Sequence, residues 1–304
     1  MNTRNVPAKR DILAVRSRLL RLIRRFFYER NAIEVETPVR VRAPALEEYI
    51  DAEPSGDAYL RTSPELHMKR LMAAGHGHIF QIGPCFRKGE SGRLHHPEFT
   101  MLEWYRAGAD YRDILDETRS LVRSVARGLL GGCAFEYGGT PVDLDADWQV
   151  ITVADAFAEY AKADVASALR SDRFHALLVE KIEPRLGIGR PSVLIDYPIE
   201  LAALARSKPA HPTVAERWEL YIAGVELANA FSELTDAGEQ RRRFADCAAF
   251  RRKTGNAAYP LDESFMQALS DGMPNTAGCA LGVDRLMMVL TGADDIGDVV
   301  AFRE

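Results

Sequence analysis

The stretches that decide the fold are Phe86-Arg87-Lys88-Gly89-Glu90, running on to Pro97-Glu98-Phe99-Thr100-Met101-Leu102-Glu103, and, nearly 200 residues later, Gly278-Cys279-Ala280-Leu281-Gly282-Val283-Asp284-Arg285. Residues 79–87 and 98–106 read as two strands joined by the polar loop 88–97, a hairpin with an arginine and carboxylates on its arms. The later stretch reads as a glycine-punctuated strand ending in Asp284-Arg285. Guanidinium groups match anionic oxygens in paired fashion, and residues without a side chain let backbone approach a ligand closely. The two stretches therefore make sense as halves of one nucleotide-handling site.

Working outward, residues 216–229 and 230–235 are expected to form paired strands that carry the remaining charge. Asn229, Phe231 and Glu233 alternate onto a single face, as strand periodicity requires, and Glu219 sits near its inward edge. A glutamate beside an aromatic ring suits an ammonium group, combining charge with ring quadrupole. Adding Glu65, Glu103 and Glu226 gives more negative charge than a nucleotide tolerates. Cations must compensate it: magnesium, which favours a few carboxylates plus phosphate oxygens, and a diamino substrate.

In residues 11–30, apolar positions Ile12, Val15, Leu19, Leu22, Ile23, Phe26 and Phe27 recur at three- and four-residue steps, which predicts an amphipathic helix. A short strand over 33–38 ends at Pro38, and another lies at 59–62. Ser63 is expected to cap a helix with Pro64 at its first position, running to about residue 74. Residues 112–130 and 153–187 read as helical, 131–150 as an accessory hairpin, and 192–196 as a core strand. A helix over 236–255 is rich in cations (Arg241, Arg242, Arg243, Arg251, Arg252, Lys253), a candidate surface for an acidic partner. Helices around a mainly antiparallel set of strands predict an α+β class. One domain over 1–304 is expected, with an accessory hairpin and helical insertion at about 131–190.

Composition sets the bounds. A chain of 304 residues, 47% hydrophobic and 27% charged, is that of a soluble globular protein. No apolar run approaches the roughly 18 residues of a spanning helix, so no membrane partner is expected. The Arg-rich N-terminal helix imitates a transit peptide, but it flows directly into a strand. Cys85, Cys133, Cys247 and Cys279 have no paired spacing, which argues against a zinc site or disulfide frame and for a reducing cytoplasm. A net charge of −5 disfavours a large tRNA footprint.

The two decisive stretches together resemble motifs 2 and 3 of the class II aminoacyl-tRNA synthetases, and the 11–38 helix and strand resemble motif 1, which builds the dimer interface in that family. More narrowly, the chain resembles the catalytic domain of lysyl-tRNA synthetase, and within that group the stand-alone paralogues that lysylate elongation factor P. The likeness covers nearly the whole chain. It is tightest in 63–70, 79–106, 214–236 and 272–302. Alanine in Leu227-Ala228-Asn229 and Cys279-Ala280-Leu281, and the wording of residues 99–106, match the paralogues. The anticodon-binding barrel that precedes this domain in the tRNA enzymes is not expected here.

Carried onto this sequence, the resemblance implies that Arg87 binds the α-phosphate and substrate carboxylate, Phe99 stacks on adenine, and Arg285 holds the distal phosphates of ATP. Backbone of Lys88, Gly89, Leu227 and Gly282 would border the nucleotide, and Glu219 and Glu226 would hold Mg2+. Ser63, Pro64 and Glu65 would frame the substrate amino group, and Tyr105, Glu103 and Glu233 the distal amine, beside Asn229 and Phe231. Two positions depart from the pattern: Gly89 stands where the motif has glutamate, with Glu90 following, and His96 stands where asparagine is usual. The implied activity is two-step acyl transfer: lysine or β-lysine forms an adenylate, then passes to a lysine ε-amine of elongation factor P. No general base for the second step is evident. A homodimer through the motif 1 helix is expected. The alternatives are a truncated lysyl-tRNA synthetase, a non-catalytic regulatory paralogue and a class II asparagine synthetase; the last would want an arginine where Glu233 lies.

Overall fold

In the computed structural model, which describes residues 9–303, eight strands share one sheet. They are β1 (Ile33–Glu34), β2 (His78–Phe86), β3 (Glu98–Ala107), β4 (Gln149–Thr152), β5 (Ser192–Ile195), β6 (Arg217–Ile222), β7 (Val225–Ser232) and β8 (Thr276–Gly282). The spatial order is β1-β2-β3-β8-β7-β6-β5-β4. Every interior pairing is antiparallel; only the two edge pairs, β1/β2 and β4/β5, are parallel. Parallel neighbours need a long crossover, and the segments 35–77 and 153–191 supply it. The α+β expectation of a mainly antiparallel sheet flanked by helices describes this architecture.

Period-two alternation separates the two faces of the sheet. Phe80, Leu102, Trp104, Ala230 and Leu281 point into one core. That core is covered by α1 (Lys9–Tyr28), α3 (Tyr111–Leu130) and α6 (Val283–Thr291). The α1 stripe Ile12, Leu19, Ile23, Phe26 and Phe27 is buried, and Phe27 stacks on Phe80 at 4.6 Å. Arg16 on the same helix reaches Asp284 Oδ1 at 2.5 Å, while Thr100 N–H donates to Asp284 Oδ2 at 2.7 Å. The aspartate next to Arg285 thus pins α6 to α1 and β3. On the opposite side α2 (Glu65–Ala73), α4 (Ala237–Lys253) and α5 (Glu263–Gly272) bury Met68, Met72, Phe244, Phe265 and Leu269 with Ile79 and Tyr105 of the sheet.

Several local expectations need correction. The strand expected at 33–38 pairs only over Ile33–Glu34, because Thr37 N–H turns to the Gln81 side chain at 3.0 Å and leaves the ladder. The strand expected over 216–229 is folded in two: Ala223 (φ 51°) and Gly224 (φ 75°) make a tight turn between β6 and β7. Positive φ at both central residues gives the twist that a two-residue hairpin needs. The turn packs against Gly187, where a Cβ would lie 2.6 Å from Ala223 N, so only glycine fits. Pro64, not Ser63, immediately precedes α2, but its backbone is already helical (φ −78°, ψ 0°), and Ser63 Oγ still makes the bond expected of a cap, accepting from Glu65 N–H at 3.0 Å while donating to Glu103 Oε2 at 2.8 Å.

The segment expected as an accessory insertion does contain a hairpin, Ala134–Tyr137 with Thr140–Asp143. Its next strand, β4, joins the main sheet, and the helical stretch after it packs Phe157, Phe174 and Ile182 against Tyr197 and Tyr221. The basic face of α4 is largely spent within the chain. Arg251 is fully buried, Arg241 pairs with Glu263 at 2.8 Å, and both Arg242 and Arg243 pair with Glu239. Arg241 and Arg242 stay solvent-exposed within these pairs, and Arg252 and Lys253 are exposed as well. The four cysteines are free and buried. Among the described residues no helix is long and apolar enough to cross a membrane.

Candidate active site

Register across β3, β8, β7 and β6 aligns the site residues in two rows. Glu103 lies opposite Ala280, which lies opposite Asn229, which lies opposite Glu219; one step along, Tyr105, Gly278, Phe231 and Arg217 line up likewise. Residues directly opposite on one face lie about 5 Å apart, so the rows form a continuous floor. Small residues on β8 keep its middle open. At Gly278 a Cβ would come within 2.4 Å of the Tyr105 ring and 3.0 Å of Glu233 Oε1.

Above this floor is a cavity of about 530 Å³, bordered by Ser63, Glu65, Arg87, Glu103, Tyr105, Asn229, Phe231 and Glu233 among others. Glu103 accepts from Tyr105 Oη at 2.5 Å and from Ser63 at 2.8 Å. Burial first, then the nearby Glu65 carboxylate, pushes Glu103 up to about 7 against those hydrogen bonds. Burial likewise pushes Glu233 upward, although Lys69 pulls it back. The Lys69 ammonium lies 2.5 Å from Glu65 Oε1 and pairs with Glu233 Oε2. Glu233 Oε1, on the other side of that carboxylate, has no hydrogen-bond partner.

A second cavity of about 230 Å³ adjoins the first, and Glu47, Arg87, Arg217, Glu219, Glu226, Asn229 and Ala280 border both. It is completed by His96, Phe99, Leu227, Gly282 and Arg285. The Arg87 guanidinium stands 5.2 Å from the Phe99 ring centroid, and its buried Nε has no partner. His96 Nδ1 is 2.6 Å from the Glu98 carbonyl and 3.3 Å from the Glu98 backbone nitrogen, and its buried Nε2 has no partner, which leaves that nitrogen free for a ligand. Arg285 donates to the carbonyls of Leu94 and Glu226 at 3.2 and 3.0 Å and to His95 Nε2 at 2.7 Å.

Glu219 and Glu226, the pair expected to hold magnesium, differ in freedom. Both Glu219 oxygens are engaged, Oε1 by Arg217 at 2.6 Å and Oε2 by Tyr221 at 2.7 Å and by Tyr197. Glu226 has only a 3.3 Å contact with Arg285. Beside them Glu183 is raised to about 7 by burial and then by Glu226 and Glu219, a sign of uncompensated negative charge. Hard oxygen donors with surplus charge fit Mg2+, which needs one or two carboxylates when phosphate and water complete its shell.

Of the residues expected at the site, Pro64, Lys88 and Gly89 do not border either cavity. The Lys88 N–H is taken by the Asp51 carbonyl at 2.7 Å, and Gly89 serves its turn through φ 78°. Sequence reasoning passed over Lys69, Arg217, Glu47 and Glu183. Lys69 follows Glu65 by one helical turn and Arg217 shares the alternation of Glu219, so both were readable from spacing. Glu47 and Glu183 lie in segments without periodicity, and only the tertiary fold brings them in.

The family model of tRNA synthetases class II (D, K and N) matches residues 1–304. Over 95% of its length the chain is 40% identical to the elongation factor P--(R)-beta-lysine ligase of Vibrio cholerae, covering 94% of that protein. It is 39% identical to the protein of the same name from Proteus mirabilis, with the same coverage of both. It is 37% identical to the lysine--tRNA ligase of Chromohalobacter salexigens over 97% of this chain, but spans only 64% of that longer protein. A sheet that sets a cation pocket beside an arginine-lined cleft, and a family match along its whole length, place this chain in the class II tRNA synthetases of the D, K and N group.

Proposed function

We propose that the chain is an ATP-dependent ligase that activates lysine or β-lysine as its adenylate and transfers it to a lysine ε-amine of elongation factor P. The observation that carries this reading is the buried carboxylate set Glu65, Glu103 and Glu233, opening through Asn229 and Arg87 into the cleft of Phe99 and Arg285. A diamino acid seated there directs its carboxylate toward Arg87, whose unpartnered Nε is free to hold it against an α-phosphate. Arg285 neutralises distal phosphate charge by exchanging its His95 contact for phosphate oxygens. His96 and Phe99 hold the base. Glu226, backed by Glu219, would hold magnesium, which screens phosphate charge during the displacement. Positioning and charge stabilisation suffice for the first step; no protein nucleophile is needed. In the second step an acceptor amine attacks the acyl carbon, an amide forms and AMP leaves.

Relatives named as elongation factor P ligases match this chain over nearly their whole length, which favours them over the tRNA enzymes as its functional kin. The test is incubation with ATP, magnesium, elongation factor P and either lysine isomer, read by intact mass. One lysyl increment that disappears on magnesium chelation is expected. Efficient tRNA charging with elongation factor P unmodified would reject the reading in favour of a lysine–tRNA ligase. We further infer a homodimer, supported by the exposed apolar residues Leu13, Tyr28 and Ile33 on or just after α1, and a cytoplasmic location, supported by four cysteines that are all free. A sedimenting species of 33.9 kDa at working concentration would reject the dimer.

A further inference from the structure

The deepest charge in the amino-acid pocket belongs to the protein. Lys69 has a side chain 0% exposed, its Nζ lies 2.5 Å from Glu65 Oε1 and beside Glu233 Oε2, and it stands 5.1 Å from the Phe231 ring centroid. Burial opposes its charge, but Glu233 and then Glu65 outweigh burial and hold the ammonium more firmly than usual. Three carboxylates crowd the end of the cavity around this ammonium: Glu65 from α2, Glu103 from β3, and Glu233 just beyond β7; Glu47, Glu219 and Glu226 stand with Arg87 and Arg217 where the cavity meets the second one. Tyr105 faces the ammonium end as a neutral phenol held above its ordinary range by burial, and Gly278 of β8 contributes no charge. Arg217, the cation in the floor rows, is committed to Glu219, Asn229 and the Leu201 carbonyl. Lys69 therefore cancels one of three charges and leaves two.

We propose that Lys69 is a specificity-determining residue: a resident ammonium that sets the charge deficit of the pocket at two, to be filled by the two ammonium groups of one diamino acid. This rests on the amino-acid ligase reading and specifies what that site accepts. A monoamino acid would leave one carboxylate buried without counter-charge, which is costly in a desolvated site. A substrate with a third cation would find no carboxylate left. The unbonded Glu233 Oε1, beside the opening made by Gly278, is the acceptor still waiting for a donor. In the absence of the second cation the pocket keeps a proton, consistent with the raised Glu103 and Glu233.

Two variants separate a charge-setting role from packing: Lys69→Met, which deepens the deficit to three, and Lys69→Met with Glu65→Gln, which restores it to two. Lysine-dependent ATP–pyrophosphate exchange, with KM and kcat resolved, is the readout. For Lys69→Met the KM for lysine should rise on the order of 10²–10³-fold, with kcat at saturation falling much less. The double variant should recover at least about tenfold of that loss and melt at a higher temperature than the single variant. Losses that add in the double variant, or a double variant that folds no better than the single, would overturn the proposal. So would a single variant that activates lysine as well as the parent. A parent that fails to activate any diamino acid would instead strike down the ligase reading, a result visible without any variant.

Discussion

At Gly278 the absence of one methyl group keeps the pocket open, because a Cβ there would occupy the space of the Tyr105 ring at 2.4–2.5 Å. Glycine is used here for closeness, not for unusual backbone. Gly278→Ala should therefore push Tyr105 off its hydrogen bond to Glu103, at an overpacking cost of about 1–3 kcal/mol. Lysine KM should rise at least tenfold while ATP affinity stays near the parent. Thermal melting with exchange kinetics checks both; a variant with unchanged KM would show that the ring has room to move. Much of this pocket was legible in the sequence, since Asn229 and Phe231 share a strand face by simple alternation and Glu233 follows in step. Lys69 was readable as the helical-turn partner of Glu65, but its second contact, with Glu233 more than 160 residues away, is one that no local period reveals.

Among the elements, α4 shows how a readable pattern can mislead. Its run of arginines looks like a docking face, yet Arg251 turns inward and donates to the carbonyls of Glu47 and Ile50 at 2.7 and 3.0 Å and to Asp51. It thereby holds the loop that places Glu47 between the two cavities. Arg251→Met should cost about 2–4 kcal/mol by leaving several carbonyls unpaired, and limited proteolysis should cut first near residues 47–51. Cleavage elsewhere first would argue against this clamp. The hairpin of β6 and β7 is the opposite case: Gly224 signalled its turn, but the unbroken apolar run around it concealed a break that needs Ala223 at positive φ. The long strands and helices were legible because their periods extend over many residues; the two-residue strands depend on neighbours from elsewhere in the chain.

For the molecule as a whole, the buried carboxylates couple stability to pH and substrate. Glu103 lies at about 7 in the fold, above the usual 4.3 or so of an unfolded glutamate. Its bound proton therefore stabilises the fold fully below about pH 4.3, and this contribution is lost as pH rises through about 7. A diammonium substrate favours the ionised carboxyl and reverses the trend. Saturating lysine should thus raise the melting temperature more at pH 8 than at pH 6, and its KM should increase as pH falls below about 7. An equal lysine-induced shift at both pH values would show that no pocket proton is displaced.

The sheet order also bears on how the chain is made. The strand Thr276–Gly282 is the last of the eight in chain order, yet it occupies the middle of the sheet, with β3 on one side and β7 on the other. Until it emerges, those two strands present unpaired backbone edges, the kind of surface that recruits other chains. Catalytic rows that cross this gap cannot exist in a partial product. Nascent chains that stop short of Gly282 must then rely on shielding rather than on folding, and activity should appear only once α6 arrives, in one step.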